Sequence, residues 1–370
     1  MTAADRSGGK PARNRAWWIS LVCIAVFVKV IAYFPATVEG WYSTGIYPVI
    51  SRLLRAALGW IPFSVGDVLY AAALIYAITM IIRGIRTVVR KGVSRAFVKK
   101  AFLQVLWFAL VIYVLFYALW GLNYSRKGIA QQLGLKMTSY STAELDTLTK
   151  VLESRLNQYA AIVTPAARDQ YYVKKNLFRE AEAAYTVAHH YYRFLDYSPR
   201  SIKPSVFSYA GNILGFEGYY NPFSGESQVN TTIPVFEQPF VACHEIGHQV
   251  GYGKENEANF SGFLACRLHP SAVFRYSVYF DMYTYAINEL AMADSVRARQ
   301  YISSIHPQVK KDYDELRRFL RKYKNPIEPV ITWMYGKYLE ANNQPGGKRT
   351  YSEVIAFLIA YQRKYGVNSL

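Results

Sequence analysis

The sequence predicts a mainly α-helical protein in which three N-terminal transmembrane helices precede a mostly helical extracytoplasmic domain with a small β-sheet. Hydrophobic residues make up 52% of the 370-residue chain and charged residues only 18%, which is more apolar than an ordinary soluble enzyme. Three long apolar runs lie in the first third of the chain, and amphipathic helical patterns follow them. We therefore expect a membrane anchor over residues 1–124 and an extracytoplasmic domain over residues 125–370.

The three apolar runs cover residues 17–34, 61–82 and 101–122. Each run has about the twenty residues that an α-helix needs to cross roughly 30 Å of hydrocarbon. The first run contains the single charge of Lys29 near its end, and Asp67 is the only charge in the second. Trp120 and Tyr124 lie at the end of the third run, where interfacial aromatic anchors are expected.

The first run also has features of a cleaved signal peptide, because Arg13 and Arg15 precede it. However, it is long for a signal sequence, has no small-residue cleavage pattern before Pro35, and is followed by two further runs. Retention as a transmembrane anchor is the simpler interpretation.

The basic residues indicate the orientation in the membrane. Four Lys or Arg residues precede the first run and seven lie between the second and third, whereas Arg52 and Arg55 alone lie between the first and second. Since loops rich in Lys and Arg stay in the cytoplasm, we expect a multi-pass protein of the bacterial inner membrane. Its N-terminus would be cytoplasmic and its C-terminal domain periplasmic. This distribution explains much of the net charge of +18, and no nucleic-acid-binding pattern accompanies it, so nucleic acid is not an expected partner.

Helical patterns dominate the extracytoplasmic domain. A capping box at Ser141 and Glu144 predicts one helix, and an amphipathic pattern continues over residues 165–195. His189 and His190 lie side by side in this pattern, and adjacent helical residues project about 100° apart, so we assign both a structural role. Later helices are expected over residues 272–303, 309–323 and 351–365.

Residues 206–235 are rich in Gly, Asn, Pro and aromatic residues, which predicts short strands and turns. The alternation over residues 225–230 predicts an edge strand just before the next helix.

The segment that indicates chemistry is His244-Glu245-Ile246-Gly247-His248. Two histidines four residues apart on a helix project from one face and can bind one zinc ion. Glu245 follows the first histidine, so it can accept a proton from a zinc-activated water as a general base.

A hydrolytic zinc site needs a third protein ligand and an open position. After His248 the chain stops at two glycines and restarts at Glu255, which predicts a second helix packed antiparallel on the first. Glu255 and Glu257 are candidate ligands about 200° apart around this helix. We assign the ligand role to Glu255, because Asn259 lies one turn further on and can support the site by a hydrogen bond.

The segments HEIGH and ENEAN resemble the gluzincin group of zinc metallopeptidases, in which a glutamate on the following helix is the third ligand. The resemblance implies a zincin-like domain with Zn(2+) as its cofactor. It makes His244, His248 and Glu255 the ligands, Glu245 the base, and Asn259 the supporting residue in place of the commoner Asp.

Three further motifs resemble a bacterial membrane family catalogued as domain of unknown function 3810. They are PFSVGD at residues 62–67, WGLNYSR at residues 120–126 and YYNPFSGESQVN at residues 219–230. This resemblance covers most of the chain and implies no substrate.

Zincins commonly bind an extended peptide along an edge strand beside the metal helix. Residues 218–230 are the candidate segment here, with Gly225, Glu226, Ser227 and Gln228 as the expected substrate contacts. The alternative is a structural hairpin that only covers the helix.

The sequence does not select the residue that stabilises the reaction intermediate; the candidates are His269, His306, Arg349 and Tyr351. Cys243 and Cys266 lie on the two sides of the predicted helix hairpin, and we expect two packed free thiols rather than a disulfide.

Together these features predict a membrane-anchored zinc metallopeptidase that hydrolyses peptide bonds through a zinc-activated water. Its expected partners are the lipid bilayer and a peptide or protein substrate. Two alternatives stay open: a non-catalytic envelope scaffold with a structural metal site, and a zinc amidase that acts on cell-wall material. The oligomeric state does not follow from the sequence.

Overall fold

The apolar runs form long helices that lead into a helical domain. The structure is a computed structural model that describes residues 9–347 and 352–370, with side chains from residue 16 onward. The basic residues before the first run therefore lie outside the described side chains. The membrane-proximal helices are α1 (Gly9–Ile31), α2 (Pro35–Thr37), α3 (Tyr47–Leu58), α4 (Val65–Lys91) and α5 (Arg95–Leu119).

Among the described residues, two unbroken helices, α4 and α5, are long and apolar enough to cross a membrane. Only 11% of the most apolar window of α4 and none of that of α5 is buried inside the protein, so both helices face outward as spans do. The segments Ala16–Ile31 and Pro35–Leu58 make a third candidate only as a pair, and the pair is bent by 97°. These helices support a membrane protein with two or up to three spans.

The helix ends differ from the predicted run boundaries for local reasons. The first helix ends at Ile31 rather than at residue 34. The second predicted run starts at residue 61, but α4 begins after Ser64, whose hydroxyl accepts a hydrogen bond from the Asp67 N–H at 3.0 Å. The third run extends to residue 122, but α5 ends at Leu119 because the chain turns into the domain.

Trp120 and Tyr124 are not the interfacial anchors that the sequence predicts, because both are buried in the domain. The Trp120 indole N–H donates to the carbonyl of His248 at 3.0 Å, and the ring of Trp120 packs edge-on against Tyr124. Contacts with the domain therefore begin before the predicted boundary at residue 124.

The helical rod from Pro35 to Leu58 also packs on the domain. A π-helical stretch, Val38–Ile46, joins α2 and α3 into this rod. One face of the rod is buried against the domain, through side chains that include Tyr47, Ser51 and Arg55. The opposite face exposes large apolar side chains: Trp41, Ile46, Val49 and Leu53.

The rest of the chain is a helical domain around one large apolar core. Its helices are α6 (Ile129–Gln132), α7 (Thr142–Ile162), α8 (Pro165–Asp169), α9 (Lys174–Tyr191), α10 (Ser208–Leu214), α11 (Gln238–Gln249), α12 (Glu255–Leu268), α13 (Ala272–Ala293), α14 (Ser295–Ser304), α15 (Pro307–Tyr323), α16 (Glu328–Ala341) and α17 (Val354–Tyr365). The predicted capping box opens α7, where Ser141 accepts from the Glu144 N–H at 3.3 Å and Glu144 accepts from the Ser141 N–H at 2.9 Å.

A three-stranded mixed sheet lies beside α11. Its strands are β1 (Ile202–Pro204), β2 (Gly218–Asn221) and β3 (Glu226–Val229), in the order β1-β3-β2. β3 pairs parallel to β1 and antiparallel to β2, with Gly218 opposite Val229. The prediction of an edge strand over residues 225–230 is therefore wrong: β3 is the central strand, and β2 is at the edge beside α11.

The two cysteines of the helix hairpin are buried free thiols, as predicted. The Cys266 thiol lies 3.7 Å from the carbonyl of Pro239. His190 Nδ1 lies 2.8 Å from the carbonyl of Thr186 on its own helix, which agrees with a structural role.

A buried ion pair ties the rod to the domain. Arg126 forms two hydrogen bonds with the Glu39 carboxylate, at 2.6 and 3.0 Å, and donates to the carbonyl of Gly251 at 2.9 Å. Because removing one partner leaves the other charge buried and unpaired, we expect Arg126→Met to destabilise the fold by about 3–5 kcal/mol. The measurement is the unfolding midpoint of the full-length protein in detergent.

Arg52→Met is the matched control for Arg126→Met. Arg52 pairs with Asp196 at 2.5 Å, but its side chain is largely exposed, so its loss should cost at most about 1 kcal/mol. Equal effects of the two substitutions would contradict the role that we assign to the buried pair.

Candidate metal centre

α11 and α12 form the antiparallel hairpin that carries the site. Their close approach depends on Gly247, where an added Cβ would lie 2.3 Å from the Ser261 hydroxyl and 3.1 Å from the carbonyl oxygen of Ala258. A larger side chain would push the helices apart. The hairpin therefore brings the start of α12 against the last turn of α11.

Three potential ligands converge at this crossing. The Oε2 atom of Glu255 lies 3.3 Å from Nε2 of His244 and 3.3 Å from Nε2 of His248. The imidazole rings stand at 90° to each other with centroids 4.7 Å apart. All three side chains are buried, and their ligand atoms lie within 4.8 Å of one another, so they could hold a metal ion.

The other nitrogen of each ring is fixed by an oxygen acceptor. Nδ1 of His248 lies 2.7 Å from the carbonyl of Tyr252, and Nδ1 of His244 lies 2.7 Å from Oδ1 of Asn259. Since these oxygens accept hydrogen bonds, they favour the tautomer with the proton on Nδ1. Both Nε2 lone pairs then face Glu255, and Asn259 has the supporting position predicted for it.

Two residues that no sequence motif indicated hold Glu255, one at its carboxylate and one at its backbone. The Tyr335 hydroxyl donates to Oε1 of Glu255 at 2.7 Å, and the Glu255 backbone N–H donates to Oε1 of Gln344 at 2.9 Å. Both partners lie about 80 residues or more further along the chain. No local pattern marks them, because they reach the site only through the packing of α16.

Glu257, the alternative ligand, points away from the histidines. It accepts a hydrogen bond from the backbone N–H of Ile129, at the start of α6, and lies near Lys254 and Arg126. In the first turn of α12, Glu255 thus faces the candidate metal centre, and Glu257 faces the contacts with the membrane-proximal elements.

Glu245 lies under the edge strand. It is buried, its Oε2 has no hydrogen-bond partner among the described residues, and an added Cβ on Gly218 would lie 2.5 Å from its Oε1. Only glycine allows β2 to pass this close to the carboxylate. Burial raises the pKa of Glu245 to about 8.

The two histidines and Glu255 share one electrostatic system. Burial lowers the pKa of His244. For His248 the Glu255 carboxylate outweighs the effect of burial and raises the pKa to about 9. Burial also opposes the charged form of Glu255, but the two imidazoles hold its pKa far below the usual range. The carboxylate is therefore a permanent negative charge that favours a cation beside it.

A cavity of about 400 Å³ opens beside these residues. Gly218 and Tyr219 of β2 form one wall, and Tyr335 of α16 lies on another. Glu217 and Asp281 also line the cavity, and burial raises the pKa of Asp281 well above its usual range. The lining is thus rich in carboxyl groups although the whole chain is basic.

The predicted substrate contacts are buried: Gly225 directly precedes β3, and Glu226, Ser227 and Gln228 lie in it. Glu226 pairs with Lys203 and accepts from the Gly66 N–H at 2.6 Å, so it caps the start of α4. The Ser227 hydroxyl donates to the carbonyl of Glu245 at 2.7 Å, and the Gln228 side chain lies 3.0 Å from Ser64. The carbonyl of Gly225 accepts from Gln249 at 2.6 Å. All four residues are thus engaged in hydrogen bonds within the protein.

The candidates for an intermediate-stabilising residue do not converge on the cavity in the described part of the chain. His269 lies 3.3 Å from Glu180, and His306 accepts from the Gln308 N–H at 3.1 Å as the cap of α15. Arg349 and Tyr351 lie outside the described residues. Among the described residues, Tyr219, Tyr285 and Tyr335 are the tyrosines that line the cavity.

Comparisons with known proteins agree with the motif resemblance. No curated protein and no solved structure matches the chain. One family model, described as "Protein of unknown function (DUF3810)", matches residues 42–359. The match spans most of the chain, from the rod through the metal centre to the last helix. The chain therefore belongs to the DUF3810 family.

Proposed function

We propose that the protein is a membrane-anchored zinc-dependent metallopeptidase that hydrolyses peptide bonds through a zinc-activated water. The proposal includes an N-terminus in the cytoplasm and a catalytic domain on the periplasmic side of the bacterial inner membrane. The observation that supports it most is the convergence of two imidazole nitrogens and one carboxylate oxygen beside a cavity and a buried glutamate.

The donor set fits zinc. Two neutral imidazoles and one carboxylate are a common ligand set of catalytic zinc, which keeps its remaining position open. When both imidazoles are neutral, with their ring protons on Nδ1, three lone pairs point toward one another. Such an arrangement is costly in a buried site unless a cation balances it, and the raised pKa of His248 reflects the same demand, which a proton or a metal ion can meet.

A bound zinc ion supplies a Lewis acid that makes water acidic enough to lose a proton near neutral pH. Glu245 is the group that takes this proton, since it follows a ligand in α11, lines the cavity and has an oxygen without a partner. A base whose pKa is near the ambient pH can also return the proton to the leaving amine. Asn259 and Tyr335 keep the ligands in place through their hydrogen bonds.

The edge strand offers a place for the substrate backbone. β2 pairs with β3 on one side only, and Gly218 brings it directly over Glu245. A peptide that adds to this edge as an antiparallel strand would hold its backbone by main-chain hydrogen bonds next to the base. The substrate contacts move from β3, where the sequence analysis placed them, to β2.

The cavity also separates this proposal from the scaffold alternative. A structural zinc site is closed by four protein ligands, whereas about 400 Å³ of open volume lies beside these three.

Glu245→Gln tests the catalytic base. The purified full-length protein should keep about one zinc ion per chain but lose peptide hydrolysis by roughly 10²–10⁴-fold, the range for removal of a general base. Zinc content is measured by elemental analysis and cleavage by mass spectrometry of a peptide library. Hydrolysis at the wild-type rate by the variant would remove Glu245 from its role.

Glu255→Gln and Glu257→Gln test the third ligand as a matched pair two residues apart. Glu255→Gln should weaken zinc binding strongly, whereas Glu257→Gln should keep the zinc affinity of the wild type. Tyr335→Phe removes one hydrogen bond to the ligand, so we expect an intermediate loss of roughly 10–100-fold. Competition titration with a zinc chelator measures all three, and a larger loss for Glu257→Gln than for Glu255→Gln would contradict the assignment.

A further inference from the structure

The first wall of the cavity is fastened to the outer end of span α4. The Asp67 carboxylate accepts hydrogen bonds from the Tyr219 hydroxyl of β2 and, at 2.6 Å, from the backbone N–H of Val206. The rings of Tyr70 and Tyr219 lie 6.4 Å apart. The edge strand β2 is thus in contact with the N-terminal end of α4, where the exposed apolar surface of that helix begins.

The second wall is fastened to the outer end of span α5. On α16, the Tyr338 hydroxyl lies 3.1 Å from that of Tyr124, and the Tyr338 ring lies 6.5 Å from that of Phe116. The Tyr117 hydroxyl donates to Oδ1 of Asn342 at 2.8 Å, just after α16. The cavity therefore sits directly above the two spans.

Both walls expose apolar side chains that continue the surfaces of the spans. On α16, residues spaced three and four apart form an outward stripe next to the face that carries Tyr335 into the cavity. We define the apolar arch as the exposed apolar residues of this stripe, together with Trp333 and the exposed apolar residues in and just before α10. Its members are Val206, Tyr209, Ile213, Ile327, Val330, Trp333 and Met334. α10 and α16 pack against each other, so the arch is continuous.

An arch of this kind is unusual on a surface that faces water. Single exposed apolar residues are common, but contiguous sets mark an interaction surface. Here the set is linked to the end of α4 through Val206, whose backbone N–H donates to Asp67, and to the end of α5 through Tyr338 of α16, whose ring lies 6.5 Å from that of Phe116. The rod, which directly precedes span α4, also has an exposed apolar face with Trp41, Val49 and Leu53. Continuity with two spans identifies a lipid surface as the partner.

We propose that the apolar arch lies in the membrane leaflet nearest the domain and that the substrate of the site is a polypeptide tethered to the same membrane. The substrate assignment rests on the proposed peptidase function, whereas the immersion of the arch does not. A chain segment that leaves the bilayer passes the arch and meets the free edge of β2 beside Glu245. Tethering to one membrane raises its effective concentration at the cavity.

The immersion is tested by spin labels at two equally exposed positions. Met334 of the arch is 55% exposed, and Val173, which precedes α9, is 54% exposed. α9 has 18 residues, so Val173 lies about 27 Å along the helix from the end that meets the rod. Met334→Cys and Val173→Cys are made in a Cys23→Ser background, because the remaining cysteines are buried.

Each variant is labelled with a nitroxide and reconstituted in phospholipid vesicles, and power-saturation EPR compares collisions with oxygen and with a water-soluble nickel complex. At residue 334 the label should collide more with oxygen than with nickel, as in lipid, and at residue 173 the order should reverse. Preference for nickel at both positions would overturn the immersion.

The substrate class is tested with one cleavable segment presented in two ways, as a soluble peptide and as a reporter anchored by a transmembrane helix in the same vesicles. Met334→Glu should lower cleavage of the anchored reporter about 10-fold, as expected when the arch no longer docks and part of the effective concentration is lost. Cleavage of the soluble peptide should not change, and Val173→Glu should change neither rate.

The outcomes separate the two proposals. Glu245-dependent cleavage of the soluble peptide with no preference for the anchored reporter would overturn the substrate class and leave the peptidase intact. Cleavage of neither substrate by the wild type would overturn the peptidase, and the substrate class with it, while the spin labels still decide the immersion.

Discussion

The structure depends on how the C-terminal end of the metal helix is satisfied. The last carbonyls of an α-helix lack partners within the helix, and here they are buried. The carbonyl of Gln249 accepts from Tyr47 at 2.7 Å, from Ser51 at 3.1 Å and from Arg55 at 3.3 Å. Trp120 satisfies the carbonyl of His248. All of these donors come from the rod or from the end of span α5, so the metal helix is built on membrane-proximal elements.

This constraint explains why the membrane segment is more than a tether. The cationic guanidinium of Arg55 lies at the negative end of the α11 dipole, a favourable location for a positive charge. From the same end, the Trp120 ring reaches the imidazole of His248, with centroids 6.0 Å apart, and Tyr220 on β2, at 5.2 Å. A displacement of the rod or of α5 would therefore reach a candidate metal ligand and the edge strand together. The geometry of the site is thus coupled by direct contacts to α5, a helix that is apolar enough to cross a membrane.

The sequence predicts those parts of the structure that depend on interactions between residues close together in the chain. The spacing of His244 and His248, the restart of the helix at Glu255 and the cap at Ser141 depend on neighbours within about one or two helical turns, and the structure places each as expected. The strand order, the partner of Glu255 at Tyr335 and the burial of Trp120 depend on contacts between distant segments. From the sequence alone, an aromatic residue that ends an apolar run in contact with lipid headgroups cannot be distinguished from one that packs on a folded domain. Glu226 likewise follows a strand-like alternation, but its carboxylate caps α4 from the centre of the sheet.

The cavity is lined by acidic residues, whereas the whole chain carries a net positive charge of +18. The net charge is therefore a poor guide to the chemistry of the site. Seven of the basic residues lie between the second and third apolar runs, around the turn that joins α4 and α5, at the ends of these helices remote from the cavity. The cavity itself is lined by Glu217, Glu245, Glu255 and Asp281. The net positive charge of the chain therefore does not describe the lining of the cavity. The carboxyl groups of the lining suit a metal cation, and the apolar arch beside them suits a lipid surface.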